Sequence, residues 1–255
     1  MKLTSDLHLH TYLSPCASRD ATPAAYIERA AQQGITTLCF TDHYWDPLAC
    51  KPMLWGSDVF ELREQFPKQS AVRVLLGCET ECIGGGRIGI TPQTAARLDF
   101  VLLSTGHFRA KGLTIPEDVT TLPQVRAFMW DIMHDAVRAD LGVPTALAHP
   151  FFANGFHEQN DELIAGFTDN DLQEIFSLAK KYGVAVEVNG PTSVFGARNA
   201  DGWSIAFTRV LQAAHRCGCT FTAGSDSHRL ESFEHTRLTR YLQYLGIEQH
   251  ELLKI

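Results

Sequence analysis

Residues 7–17 read "LHLHTYLSPCA", and how the two histidines are read decides the fold. His8 and His10 stand two apart in an apolar run, so on a β-strand they point the same way. Alone, such a pair is a weak motif. Residues 224–228 read "GSDSH", which sets Asp226 and His228 at the same spacing after the last apolar run. The two pairs can serve one site if the first and last strands are neighbours, as they are in a closed barrel.

The chain between these pairs alternates short apolar runs with amphipathic ones. Candidate strands are "LTSDLHL", "TTLCFT", "VRVLLGCE", "DFVLLST", "PTALAH", "VAVEVN" and "CTFTAGS", the last a buried strand that "CGC" at Cys217–Cys219 begins. Candidate helices lie between most of them. "TPAAYIERAAQQG" has Thr22 as N-cap, Pro23 at the first helical position and Gly34 as stop. "SDVFELREQF" starts on Ser57, the run from Leu122 ends at Gly142, and "TDNDLQEIFSLAKKYG" spans Thr168 to Gly183. "GWSIAFTRVLQAAHRCG", "FEHTRLTRYLQYLG" and "EQHELLK" complete the set. Such alternation implies parallel strands joined by helices. Seven strands fit a doubly wound sheet or a TIM-like barrel. No glycine-rich phosphate loop follows the first strand, which disfavours the nucleotide-binding sheet. "CIGGGRIGI" reads as a loop or small hairpin. "YWDPLACKPMLWG" and "FFANGFHEQNDELIAG" read as irregular aromatic loops that could wall a pocket.

Six of the eleven histidines stand at or just past the C-terminal end of a predicted strand: His8, His10, His43, His107, His149 and His228. Glu79 and Asp226 occupy equivalent places. In a parallel barrel these ends share one face, where such folds place their chemistry. Imidazole and carboxylate groups converging there suit Zn²⁺, Mn²⁺ or Fe²⁺. His134, His215, His235 and His250 fall on predicted helices and read as surface or partly buried residues. His157 lies in the aromatic loop, within reach of a substrate.

Hydrophobic residues make up 45% and charged residues 20%, an ordinary globular balance. The net charge of −7 argues against long nucleic acid, whose binding rests on phosphate contacts. The apolar runs are shorter than the roughly 20 residues that cross a bilayer. "MKLTSDLHLH" has no apolar signal region, so a cytoplasmic location is expected. Seven cysteines, an odd number, favour free thiols over a disulfide framework. Cys16 stays open as a metal ligand or a small loop residue.

The motifs together resemble the PHP family, named for polymerase and histidinol phosphatase. "DLHLHT", "FTDH", "GCETE", "STGHF", "LAHP" and "GSDSH" follow in family order along the whole chain. The resemblance implies one distorted (β/α)7 barrel over residues 1–255, holding two or three divalent ions (Zn, Mn or Fe). By that resemblance His8, His10, Glu79 and Asp226 hold one ion. Glu79 bridges to a second on His107 and His149, and His43 and His228 hold a third. Many relatives complete the third site with His or Asp; here the corresponding residue is Cys16, and a thiolate is a good ligand for Zn²⁺ or Fe²⁺. His8, His10, Glu79, Asp226 and His228 would then carry catalysis.

The implied reaction is metal-assisted hydrolysis of a phosphate ester of a small molecule, monoester or diester. Arg109 and Arg198 are the candidate phosphate contacts, each against the alternative of a solvated loop arginine. Asp6 and Asp42 are placed to accept the second ring N–H of a ligand histidine, and Asp42 equally to cap a turn. Glu187 and Asn189 alternate onto one face and would orient ligands or bind substrate; Glu187 could equally satisfy a buried backbone group. Two other functions compete. An amidohydrolase shares the barrel and the opening pair, but no lysine ends a predicted strand. An accessory module of nucleic-acid metabolism is disfavoured by the acidic charge and the near-complete ligand set. Nothing in the sequence sets an oligomeric state.

Overall fold

The computed structural model describes residues 2–46 and 59–255. All seven expected strands form: β1 (Ser5–Leu9), β2 (Thr37–Phe40), β3 (Arg73–Glu81), β4 (Phe100–Ser104), β5 (Thr145–Ala148), β6 (Ala185–Asn189) and β7 (Phe221–Gly224). They lie side by side in chain order, each neighbouring pair parallel. The helices are α1 (Pro23–Gln33), α2 (Leu62–Gln65), α3 (Pro92–Ala95), α4 (Leu122–Val137), α5 (Asn160–Ala165), α6 (Asp169–Tyr182), α7 (Ile205–Cys217) and α8 (Thr236–Leu245).

The sheet curls until its first and last members meet. Just past β7, Asp226 N donates to His8 O at 2.9 Å, and His10 N donates to Ser227 O at 3.0 Å. This seam makes the sheet a distorted TIM-like (β/α)7 barrel. It excludes the doubly wound alternative, whose strand order reverses at a switch point.

Leu7, Leu75, Phe100 and Leu102 fill the barrel interior with small residues such as Ala146 and Ala185, and Leu253 and Ile255 pack against them. The outer face is covered by helices whose apolar residues recur every three or four positions. On α6 these are Leu172, Ile175, Phe176 and Ala179. Burying one large aliphatic or aromatic side chain contributes about 1.5–3 kcal/mol. Three of them on α6 therefore outweigh any single cap in holding that helix to the barrel.

Several boundaries differ from expectation. The helix from Leu122 stops at Val137 rather than Gly142. The Arg138 guanidinium folds back and donates to His134 O at 3.0 Å, supplying a free terminal carbonyl with a partner. The stretch Cys217–Cys219 does not start the last strand: α7 runs through Cys217, Gly218 ends it at φ 69°, and β7 begins at Phe221. "EQHELLK" forms only a tight turn at Gln249–Glu251, because Leu253 N is drawn to Phe221 O at 2.7 Å. The second aromatic loop contains α5. Its first residue, Asn160, is buried and ties the loop shut through Ala153 N at 2.8 Å and Ala153 O at 3.1 Å. "CIGGGRIGI" is a small hairpin, with Cys82 paired to Ile88. Cys50, the Ser57 helix start and most of the first aromatic loop lie outside the described residues. The six described cysteines are free thiols.

The N-terminus of α6 is closed by a reciprocal pair: Asp171 N donates to Thr168 Oγ1 at 3.1 Å and Thr168 N to Asp171 Oδ2 at 2.7 Å. Thr168→Ala removes the cap and should destabilise the protein by about 1 kcal/mol. Thermal unfolding should shift down by about 2–4 °C, and an unchanged midpoint would show that packing alone fixes this helix start.

Candidate metal centre

A register irregularity between Asp6 and Leu9 in β1 shapes the centre. Leu7 packs into the barrel interior, yet its neighbour His8 also points inward. A bulge re-aims side chains in this way. As a result His8 Nε2 and His10 Nε2 stand 3.0 Å apart. His43 extends β2 by a bridge to Glu79 on β3. His107, His149, Asp226 and His228 follow β4, β5 and β7. His149 (φ 28°) and Asp226 (φ 52°) have left-handed backbones, two of the three described non-glycine residues that do. Each such residue costs on the order of 1–3 kcal/mol and persists where its surroundings fix it.

Glu79 is the hub. Its carboxylate oxygens lie 2.9 Å from His149 Nε2, 3.0 Å from His43 Nδ1, 3.5 Å from His10 Nε2, 3.6 Å from His8 Nε2 and 3.7 Å from His107 Nε2. Asp226 Oδ1 lies 3.4 Å from both His8 Nε2 and His10 Nε2. All the histidines and carboxylates expected at the site converge there.

Outer residues set which ring nitrogens face inward. His8 Nδ1 lies 2.6 Å from Glu187 Oε1, and His107 Nδ1 lies 2.5 Å from Glu81 Oε1. Both carboxylates accept, so both Nδ1 atoms carry the proton. His10 Nδ1 lies 3.0 Å from Ser14 Oγ, whose own hydrogen goes to Asp42 Oδ1 at 2.6 Å. His10 Nδ1 is therefore also a donor, and its Nε2 presents a lone pair to the centre. Glu187 does both things expected of it: its other oxygen accepts from His149 N at 2.6 Å. Asn189 Nδ2 donates to Asp226 Oδ2 at 3.3 Å.

Two assignments change. Asp42 touches no ligand imidazole; it accepts from Thr11 N and Thr11 Oγ1, both at 2.7 Å, and reaches His10 only through Ser14. Asp6 accepts from a ring as expected, but the ring is His235, at 2.7 Å. His235 is thus a buried residue of the site's support, not a surface one. Sequence reasoning also missed Ser14 and Glu81. For Glu81 a signal existed, since it lies two after Glu79 on the same strand face. For Ser14 and His235 none did.

Burial would raise the Glu79 carboxyl, but His107, His43 and His8 outweigh it and hold it well below the usual range. Burial would lower His8, and Glu187, Asp226 and Glu79 more than reverse this. His10 goes the other way: burial, then His228 and His43, push it well down, in keeping with its neutral form. Cys16 sits exposed at the rim. Burial of its sulfur would raise the thiol, but hydrogen bonding with His228 and His43 brings it down to about 6.

Among the described residues, three sets of donor atoms lie within 4.8 Å of one another: His8–His10–Asp226, His43–Glu79–His107 and His10–His43–His228. Inward-facing imidazole nitrogens, carboxylates that stay ionised and outer partners that fix the rings are what a divalent ion needs. The residues present fit such ions.

The centre opens into a cavity of about 280 Å³, also lined by Trp45, Arg109, Thr114, Phe152 and Asn154. Arg109 hydrogen-bonds His157 Nε2 at 2.9 Å, so His157 stands behind Arg109 and does not line the cavity. Arg198 does not line it either; it is exposed and paired with Ser204.

A parallel barrel with this His–carboxylate cluster at its C-terminal face is the architecture of a metal-dependent hydrolase. The PHP domain family model matches residues 6–191, and the chain belongs to that family. A "probable phosphatase" of Aliivibrio fischeri (strain MJ11) is 26% identical over 233 residues, 91% of this chain and 80% of that protein. Among solved structures, a candidate histidinol phosphatase from Listeria monocytogenes superposes with a TM-score of 0.64 at 15% identity, over 92% of this chain and 99% of that one. A histidinol phosphate phosphatase from Lactococcus lactis, complexed with Zn, L-histidinol and phosphate, gives 0.58 at 17%, over 96% and 94%. These two likenesses support the barrel.

Gly224 lets Glu187 reach beneath His8: a Cβ there would stand 2.1 Å from Glu187 Oε1 and 2.5 Å from His8 Cβ. Gly224→Ala should displace this outer carboxylate and weaken Zn²⁺ binding by about 10–100-fold, measured against a chelating indicator. Wild-type affinity in the variant would mean that Glu187 does not set the His8 ring.

Proposed function

We propose that this chain hydrolyses the phosphate monoester of a small molecule at a centre of two or three divalent ions. The chain is a phosphoric ester hydrolase of the PHP family, and the observation that carries the finer reading is the ring of five imidazoles around Glu79. The phosphatase names of the relatives, and the Zn and phosphate bound by the Lactococcus lactis enzyme, support it. His8, His10, Glu79 and Asp226 would hold one ion, and Glu79, His107 and His149 a second. His43, His228 and Cys16 would hold a third, with His10 close by. Zn, Mn and Fe all suit these donors. Such ions supply Lewis acidity and lower the pKa of water to near 7.

The chain's own residues do the rest. Glu79 and Asp226 stay ionised and fix where positive charge collects. Glu187, Glu81 and Ser14 hold three rings in one tautomer. Arg109, at the cavity wall, contacts a phosphoryl oxygen. Trp45 and Phe152 give the cavity an apolar side that excludes water, and its volume admits a compact substrate rather than a polymer. No helix among the described residues is long and apolar enough to cross a membrane, and we place the enzyme in the cytoplasm.

A panel of phosphomonoesters and phosphodiesters assayed with Mn²⁺, Zn²⁺ and Fe²⁺ tests this reading. Monoesters should turn over fastest, and no cleavage with any metal would refute it. Arg109→Met should raise KM about tenfold or more with a smaller effect on kcat, the loss of one charge-assisted hydrogen bond of roughly 1.5 kcal/mol. Cys16→Ala should lower the metal content by about one equivalent in elemental analysis. An unchanged count would leave Cys16 as a loop residue.

A further inference from the structure

The barrel closes along a seam that carries both ligand pairs. His8 and His10 lie on one side, Asp226 and His228 on the other. Two backbone bonds cross it, Asp226 N to His8 O and His10 N to Ser227 O. Beside these backbone bonds, at the start of the stretch where β1 shifts register against β2, a side chain also bridges the seam. Asp6 Oδ1 accepts from His8 N at 3.2 Å and from Ser225 N at 3.1 Å. These donors are the amide of one candidate ligand and the amide next to another. Asp6 therefore ties the two strands together at the point where their ligands diverge inward.

The other Asp6 oxygen faces His235 Nε2 at 2.7 Å, and His235 Nδ1 faces Gln33 Oε1 at 2.8 Å. The Gln33 amide orientation is fixed, since its nitrogen donates to Phe233 O at 2.8 Å. Both His235 ring nitrogens thus meet acceptors, Asp6 on one side and Gln33 on the other. The ring is held edge-on to Phe233, with centroids 4.5 Å apart at 86°. His235, at the start of α8, links that helix through Gln33 to the end of α1 and through Asp6 to the seam.

We propose that His235 is a positioning residue for the metal centre: by donating to Asp6 it fixes the seam, and with it the spacing between His8, His10 and Asp226. This rests on the reading of those three residues as ligands to one ion. Their Nε2 and Oδ1 atoms stand 3.0–3.4 Å apart, and loosening the seam would spread them. His235 touches neither the cavity nor any ligand side chain, so its effect passes only through Asp6.

The test is Zn²⁺ titration of the full chain, followed by elemental analysis and by ¹⁵N-detected ring signals of His235. His235→Ala should weaken binding at one site by about 10–100-fold, the range for outer partners of metal ligands. About one equivalent should be lost after dialysis while the remaining ions stay. His235→Gln retains a donor for Asp6 and should recover most of the loss. In the wild type His235 Nε2 should carry the proton that it donates to Asp6. Three results would overturn the proposal: wild-type Zn²⁺ affinity in His235→Ala, equal impairment of the Ala and Gln variants, or a His235 Nε2 without a proton. If His235→Ala does not fold, the Gln variant and the ring signals decide. A wild-type chain that takes up no Zn²⁺ would instead sink the metal-centre reading and this inference with it.

Discussion

One buried carboxylate surrounded by five imidazole rings is the constraint from which the rest of this structure follows. An ionised carboxylate removed from water is costly unless charge and hydrogen bonds compensate it. At Glu79 the compensation comes from His8, His43 and His107, which the surrounding acids keep ready to bear charge. His10 is the exception, crowded by His228 and His43 and oriented by Ser14. The centre is thus a place where positive charge must reside. Protons and divalent ions are alternative carriers of it, and the inward lone pair of His10 favours the ion.

Holding so many polar rings together sets demands on the scaffold. The rings arrive from strands far apart in sequence, and only a closed parallel sheet brings all their ends to one rim. A bulge in β1 turns two histidines inward, left-handed backbone aims His149 and Asp226, and a glycine in β7 makes room for Glu187. Each feature is locally unfavourable or restrictive. They coincide at the site because the barrel below it, filled with leucine, alanine and phenylalanine, is stable enough to carry them.

Much of this was legible in the sequence. Strand alternation foretold the barrel, and the places of His8, His10, His43, Glu79, His107, His149, Asp226 and His228 at strand ends foretold that they gather on one face, because a parallel barrel brings those ends together. What stayed hidden acts through three-dimensional neighbours. Ser14 lies in an irregular loop, and its hydroxyl is set against His10 by Asp42, 28 residues further along the chain. His235 begins a helix with an unremarkable amphipathic pattern, and its partner Asp6 is 229 residues away. Helix ends were misread where a side chain supplied the stop, as Arg138 does for α4. Of the two arginines considered for phosphate, Arg198 is the solvated loop residue: its segment pairs with Ser204 away from the cavity.

The seam between β1 and the residues after β7 has a further consequence for the order of events during biosynthesis. A chain emerging from the ribosome displays His8 and His10 first and Asp226 and His228 last. The strands between can stack upon one another as they appear, but the outer edge of β1 waits unpaired until the residues after β7 arrive. Contacts of such long sequence separation form slowly. Closure of that pole therefore waits for residues 224–228, and a chain interrupted before them would keep Glu79 beside the two histidines but lack Asp226 and the backbone bonds that lock the seam.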